Sequence, residues 1–414
     1  MKNIARCLGQ AEGGKTLEGI IHGMHDALIV DAVRTPFGKR GGSLRDTHPQ
    51  QLAAEPLTAL ESRLGFDPEV IDDVILGCVT PVDEQGLNIG RIAPMVAGWG
   101  HGVPGVQLNR MCGSGQQAVN WAAATVESGV HDIVIAGGIE HMTRVPMGSD
   151  SPAAAGLMGR EALTEAYFEH FDEVTTQGEG AERIAEGYGF TRGMVDTLAV
   201  DSHRRWEHAW KEGRYDRQVV PVETTLDGAS ITVEVDEHPR PSSTVESLGE
   251  LPLAFRDAGE GVHHAGNSSG IVDGASALCI ASQDAVDAHD WRPLARIRER
   301  TLVGVDPVTM LTGPIPATQE LLEGTDLTID DIDLFEVNEA FASVVLAWLE
   351  ETGALWERTN VNGGAIAHGH PLGATGGALL GKLAYELDRT EGRYGISTMC
   401  IGFGMGIATL IERV

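Results

Sequence analysis

Lysine is scarce in this chain. Lys2, Lys15, Lys39, Lys211 and Lys382 are the only lysines among 30 basic residues, set against 60 acids for a formal net charge of −30. So acidic a surface excludes nucleic acid, which needs basic patches, and an anionic substrate must be met by local cations or helix N-termini. Many acids with few bases, most of them arginine, fit a halophilic protein, because salt screens the self-repulsion; an ordinary acidic protein is the composition's other reading. Long apolar runs are also missing. The longest are strand-length, against the roughly 20 residues of a membrane span, so no transmembrane segment is expected. Residues 1–25 contain Glu12 and Glu18 and no sustained apolar stretch followed by a cleavage site, unlike a secretory leader; they read as an extension. Cysteine is limited to Cys7, Cys78, Cys112, Cys279 and Cys400, an odd number with no CxxC pair. That excludes a disulfide framework and a cysteine-ligated zinc site, and argues for a reducing, cytoplasmic setting.

The most informative stretch runs from Leu108 to Glu140. Cys112 opens a glycine-rich turn, after which Ala118, Val119, Ala122, Ala123 and Val126 recur at helical spacing up to Gly129. Ile133-Val134-Ile135-Ala136, ended by Gly137-Gly138, reads as a parallel strand buried on both faces. Cys112 thus stands at a helix N-terminus, where unpaired N–H groups and the helix dipole favour a thiolate. A structural cysteine in a tight turn is the competing reading.

A chain of 414 residues exceeds the size at which one core keeps growing, so two or three units are expected. The patterning predicts a strand over 27–33, a helix over 50–64, a strand over 70–77 and a helix over 92–97 ahead of the Cys112 unit. From His141 to about Gly270 regularity breaks into a loop domain, with helices over 181–185 and 194–211 and a hairpin turning at Asp227-Gly228. A strand over 275–281 resumes the core. The last third repeats the design: strand 294–302, a helix from Pro316, strand 334–337, a helix over 339–350 opened by Asn338, a buried helix after Pro371, and strand 394–400. Loop, helix and strand follow one another around His370 in the order seen around Cys112, which reads as an internal duplication. The assigned units are an extension (1–25), a first half (26–141 plus 271–292), an inserted loop domain for coenzyme A and oligomer contacts (142–270) and a second half (293–414). The reactive loops of both halves are expected to meet at one face, at the carboxyl ends of strands.

Four loops carry residues that chemistry could use: Cys112, Asn338-Glu339-Ala340-Phe341, Gly369-His370-Pro371, and Cys400 in CIGFGMG. Their joint occurrence, with DAVRTPFGK, GGIEHM, AGNSSG, GVDPVTMLTGPIPAT and GMGIATLIERV, resembles the thiolases, the acyl-CoA C-acyltransferases, from Ala27 to Val414. The resemblance implies an α/β fold of two similar mixed-sheet halves packed as α/β/α layers with an inserted loop domain. It also implies roles. Cys112 matches the nucleophile that takes the acyl group, His370 the base that takes its proton, and Cys400 the acid and base at the α-carbon. One oxyanion would be held by His370 with a water on Asn338, the other by the backbone N–H groups of Cys112 and Gly402, with Gly404 beside the substrate. Ser269 matches a coenzyme A contact near adenosine and pantetheine, and Arg240 one near the phosphates. The reaction needs no cofactor, since coenzyme A is substrate and product, and the family forms homo-oligomers, dimers or tetramers, with contacts expected at the GGIEHM turn and the loop domain.

The chain departs from the pattern at His263-His264, His368, Phe403, where a glycine is usual, and Gln177, where methionine precedes Gly178 in many members. Chain-length preference is left open by these changes. A metal site at the histidines is not expected, because HxH without a carboxylate at ligand spacing is weak. A degradative thiolase is the leading expectation. A biosynthetic acetyl-CoA acetyltransferase, a non-catalytic lipid-transfer relative, a 3-ketoacyl carrier-protein synthase using Cys–His–His and a papain-like Cys–His hydrolase are the alternatives. The last two have no use for Cys400 beside Asn338-Glu339.

Overall fold

A computed structural model describes residues 25–151, 163–257 and 259–414, so residues 1–24 of the expected extension lie outside the described residues. The first half comprises β1 (Leu28–Arg34), β2 (Gly38–Lys39), α1 (Pro49–Leu64), β3 (Asp73–Gly77), α2 (Ile89–Val96), β4 (Val106–Leu108), α3 (Ser114–Glu127) and β5 (Ile133–His141). The middle segment contributes α4 (Glu165–Phe168), α5 (Gln177–Tyr188), α6 (Arg192–Lys211), the hairpin β6 (Val222–Leu226) and β7 (Ala229–Val233), and α7 (Val245–Gly249). β8 (Val272–Ala281) then rejoins the first sheet, followed by α8 (Gln283–Ala288). The second half runs β9 (Ala295–Gly304), α9 (Pro314–Glu323), β10 (Leu334–Val337), α10 (Ala342–Thr352), α11 (Ala365–His368), α12 (Leu372–Thr390), β11 (Tyr394–Ile401) and β12 (Met405–Arg413).

The duplication is visible in the strand order. The first half reads β1-β8-β5-β3-β4 and the second β9-β12-β11-β10, so each places its opening strand beside its closing one and works inward from there. A short pairing of Leu28 and Ile29 with Arg296 and Ala295 joins them. Helices α1 and α2 cover the outer face of the first sheet, α9 covers that of the second, and α3 and α12 pack against each other between the sheets. The mixed-sheet α/β/α architecture is therefore present. β5 is parallel to β3 but antiparallel to β8, so the strand expected to be parallel is so on one side only.

Local chemistry explains most boundaries. α1 begins at Pro49, whose missing N–H costs nothing at a first turn, under a His48 cap, and stops at Gly65 with φ +66°. The hairpin turns at Asp227 and Gly228, both with positive φ, as a two-residue turn twisted like its strands requires. One expected helix starts late. Residues 338–341 form a loop and α10 begins at Ala342, because the buried Glu339 carboxylate accepts from Ser202 Oγ at 2.6 Å, Asn360 Nδ2 at 2.9 Å and the Ile366 N–H at 3.1 Å. Those partners hold the segment out of helical geometry. The GGIEHM turn is a second correction: Gly137–His141 lie inside β5 and Met142 packs on Cys112, all buried within the protomer and absent from its surface. β12, not anticipated as a strand, pairs along all of β11, and Cys400 faces Gly406 in that ladder.

Candidate active site

Cys112 and His370 are brought together by the crossing of α3 and α12. A Cβ on Gly115 would stand 2.6 Å from the Gly373 carbonyl and 3.0 Å from the Gly377 nitrogen, and one on Gly376 would collide with the backbone nitrogen of Gln116. Only glycine lets two helical first turns approach so closely. Cys112 precedes α3, His370 precedes α12 by two residues, and the Cys112 side chain packs on Leu372 and Met142. Asn338 and Cys400 arrive from the parallel neighbours β10 and β11: the Asn338 N–H donates to the Thr398 carbonyl at 3.0 Å, two residues before Cys400. Four side chains thus meet where strand ends and helix N-termini converge.

All four are buried. At Cys112 burial pushes the thiol up to about 11, opposite in direction to the lowering expected at a helix N-terminus. The backbone N–H groups of Gly402 and of Cys112 itself, and the Gln177 side chain, oppose that rise, and the Glu140 charge adds to it. Burial also raises the Cys400 thiol, and the nearby Cys112 raises it further. The two sulfurs therefore ionise one at a time.

His370 is held down to about 4 by burial and is neutral. Its tautomer follows from Thr375, whose Oγ1 lies 2.9 Å from the Pro371 carbonyl and 2.6 Å from His370 Nδ1. The carbonyl can only accept, so the single hydroxyl proton goes there and Oγ1 accepts from Nδ1–H. Nε2 then carries the free lone pair and accepts from Asn338 Nδ2 at 3.3 Å. Asn338 Oδ1 is buried with no partner among the described residues, an acceptor that a water or substrate group would satisfy.

The glycine loop is tied to this centre by backbone bonds. The Ser269 N–H donates to Ala340 at 2.9 Å, and the His370 N–H donates to Gly270 at 2.9 Å, so Ser269 stands between the Asn338 and His370 loops. Gly404, with φ +75°, is covered by the Val305 and Asp306 carbonyls; Phe403 beside it takes φ +60°, an unusual conformation for a large side chain. Arg240 is exposed, and its Nη1 donates to the Glu237, His238 and Pro239 carbonyls of its own loop. His263 bonds Ser343 and His264 bonds Asp196, each at 2.8 Å, which makes them core ties of the glycine loop. His368 is buried against Phe37. Among the described residues no group of three or more His, Cys, Asp or Glu is arranged to hold a metal.

Sequence reasoning missed three supports. Thr375 had no signal, since a threonine in a helical run is unremarked. Glu140 had one, a carboxylate inside an apolar strand: it accepts from the Val79, Thr80 and Gly373 N–H groups and from Gln85 Nε2 at 2.9 to 3.1 Å, clamping the loop after β3 to the first turn of α12. Gln177 stood out only as a departure from the pattern.

The chain matches the family models "Thiolase, N-terminal domain" over residues 27–284 and "Thiolase, C-terminal domain" over 291–413. It is 42% identical over 394 residues to a steroid 3-ketoacyl-CoA thiolase, FadA6, of Mycobacterium tuberculosis, covering 94% of this chain and 95% of that one. Identity to a beta-ketoadipyl-CoA thiolase of Pseudomonas aeruginosa is 40%, covering 94% and 99%. The crystal structure of the Bacillus anthracis acetyl-CoA acetyltransferase superposes with a TM-score of 0.86 at 36% identity, covering 95% of this chain and all of that one.

Proposed function

Because the chain belongs to the thiolase family, we propose that it is a degradative acyltransferase that cleaves 3-ketoacyl-CoA with coenzyme A to acetyl-CoA and a shortened acyl-CoA. The observation that carries this reading is the meeting of two buried thiols, Cys112 and Cys400, with a neutral imidazole whose Nε2 is the accepting nitrogen, bonded only to the Asn338 amide among the described residues.

In the proposed sequence, Cys112 gives its proton to His370 Nε2 as its sulfur attacks the 3-keto carbonyl. The carbonyl oxygen becomes an oxyanion, and collapse breaks the bond between the α- and β-carbons. The electron pair leaves with acetyl-CoA, whose α-carbon takes the Cys400 proton. In the second step the coenzyme A thiol passes its proton to Cys400 and attacks the acyl-Cys112 thioester; the shortened acyl-CoA is released, and the Cys112 sulfur recovers its proton from His370. His370 with a water on Asn338 would hold one oxyanion, and the N–H groups of Cys112 and Gly402 the other. Ser269 would contact coenzyme A, supported by its position between the two catalytic loops; Gly404 would border the substrate and Arg240 would lie near the phosphates. No metal or further cofactor enters.

We place the enzyme in the cytoplasm as a homo-oligomer. Cys78, Cys112, Cys279 and Cys400 are free, and among the described residues no helix is long and apolar enough to cross a membrane. The likeness to an acetyl-CoA acetyltransferase structure favours a second reading, condensation of two acetyl-CoA to acetoacetyl-CoA. The deciding experiment measures kcat/KM for thiolysis over a series of 3-ketoacyl-CoA chain lengths, with mass spectrometry of the acylated peptide. Turnover of medium or long chains through acyl-Cys112 supports the degradative reading. Activity confined to acetoacetyl-CoA supports the second, and acylation elsewhere overturns both.

A further inference from the structure

Helix α11 ends at His368, just before His370 and Pro371. A helical carbonyl is ordinarily met by the N–H four residues on, and proline has none. Counted back from Pro371, that carbonyl belongs to Ala367, which is fully buried. The N–H one residue nearer, that of His370, is directed instead to the Gly270 carbonyl at 2.9 Å, and Gly369 takes φ +92°, so the chain leaves the helix where the histidine enters the site. The Ala367 carbonyl therefore needs a donor from elsewhere, since a buried acceptor without one is destabilising.

His238 supplies it. Its Nδ1 lies 2.9 Å from the Ala367 carbonyl, and because that oxygen can only accept, Nδ1 carries a proton and donates. The ring also lies on the glycine loop, where a Cβ on Gly270 would collide with Nε2. The imidazole is thus wedged between two backbone points that set His370: Ala367, three residues before it, and Gly270, which accepts its N–H. The loop carrying His238 is itself held on both sides. Asp236 accepts from Arg34 Nη1 and Nη2 at 2.6 and 2.8 Å and from Trp206 Nε1 at 2.9 Å, and the Arg240 N–H donates to His203 Nδ1 at 3.1 Å. A side chain on so fixed a loop is preorganised for its acceptor.

We propose that His238 is a positioning residue for the reaction: it donates the hydrogen bond that Pro371 cannot, and so holds the turn between α11 and α12 in the shape that sets the His370 ring at Cys112. The proposal rests on the reading of His370 as the base for Cys112, and it asks no substrate contact of His238. Without the Nδ1 donor the turn must open to water or rewind at Gly369. Either change displaces His370, and a misplacement of about 1 Å at a reacting group lowers turnover by roughly 10²-fold.

Two substitutions separate the donor from the ring. His238→Phe keeps a ring against Gly270 and loses the N–H, whereas His238→Asn loses the ring and keeps an N–H close to the position of Nδ1. Thiolysis of a 3-ketoacyl-CoA by the full chain is measured for wild type and both variants, with the thermal midpoint of each. His238→Phe is expected to lower kcat by about tenfold to 10²-fold with KM within about threefold, and His238→Asn to keep kcat within about threefold of wild type. A purely structural part would lower the thermal midpoint and leave kcat of the folded enzyme unchanged. A folded Phe variant with wild-type kcat, or an Asn variant as slow as the Phe variant, overturns the proposal; where the Phe variant does not fold, His238→Leu replaces it under the same criteria. Hydrogen exchange at the His370 amide, read on its peptide by mass spectrometry, needs no substrate. Exchange faster by about tenfold in the Phe or Leu variant supports the role, and an unchanged rate overturns it. A wild type that forms no acyl-Cys112 sinks the functional reading, and the exchange rates then decide on His238 alone.

Discussion

At the scale of single residues the chemistry turns on two sulfurs that look alike in composition and differ in what surrounds them. Burial raises both thiols; the Glu140 charge adds to the rise at Cys112, and the neighbouring Cys112 adds to it at Cys400. Cys112→Ala is expected to abolish both labelling by acetyl-CoA and turnover, because no other group can hold the acyl chain. Cys400→Ala is expected to keep the label on Cys112 while carbon–carbon bond formation falls by roughly 10²- to 10⁴-fold, the range general acid and base groups supply. Radiolabelled acetyl-enzyme, digested to locate the label, distinguishes them; label on Cys400, or a Cys400→Ala enzyme that condenses normally, reverses the assignment. His370 leads to a second prediction. A buried imidazole held at about 4 keeps its accepting nitrogen well below the ordinary 6.5, and only the neutral form can take the Cys112 proton. The acid limb of kcat/KM therefore lies below pH 6, and an acid limb at the ordinary histidine value would contradict it. Thr375→Val removes the acceptor that selects the tautomer and should lower kcat by about tenfold or more, as loss of an orienting partner does for ligating histidines.

At the scale of elements, the site depends on how closely α3 and α12 approach. Gly115 and Gly376 give up helix propensity, of the order of 1 kcal/mol each, for a backbone contact that sets Cys112 and His370 at one point. Gly376→Val places a branched side chain against the Gln116 nitrogen. The expected result is a loss of about 1 to 3 kcal/mol in denaturant unfolding together with reduced kcat, since the helices must separate. Unchanged stability and kcat would show that the crossing does not govern the site. Glu140 acts at the same level: one carboxylate ties the exit of β3 to α12, so a segment near the first third of the chain determines where a histidine of the last third stands.

At the scale of the molecule, charge dominates. Sixty acids against 30 bases leave 30 carboxylates without a base even under one-to-one pairing. Ion pairs such as Arg183–Glu173 and Arg300–Glu127 are partly exposed and contribute only about 0 to 1 kcal/mol each, so salt costs little there and relieves repulsion everywhere. With the screening length falling from about 10 Å to about 3 Å, thermal midpoint and activity are both expected to rise from dilute buffer to molar KCl. A flat or falling profile removes the high-salt reading. Assembly belongs to the same scale. β4 is an edge strand with Val106 40% exposed, and the nearby Leu87 is 86% exposed, which supports a homo-oligomer through this rim and away from the buried Gly137–Met142 segment. Light scattering in molar salt should give a dimer or tetramer; a monomer would contradict it.

The sequence by itself determined the elements and the reactive positions. Its apolar periodicity outlined most of the strands and helices, its glycines marked the turns, and the four loops with Cys112, Asn338, His370 and Cys400 were legible because each breaks a regular pattern. These are local properties, set within one or two turns of chain. Only the tertiary structure decided what those residues are. That the Cys112 thiol is pushed up to about 11 follows from burial by distant strands, which no spacing reports. The His370 tautomer depends on where Thr375 spends its one proton. β12 escaped notice because Gly402, Gly404 and Gly406 read as one loop until pairing with β11 put Gly406 in a ladder, and the late start of α10 depends on Ser202, Asn360 and Ile366, far off in sequence. Gln177 differs from the usual residue in one side chain, yet its amide stands beside Gly402, far later in the chain, a relation created by packing alone.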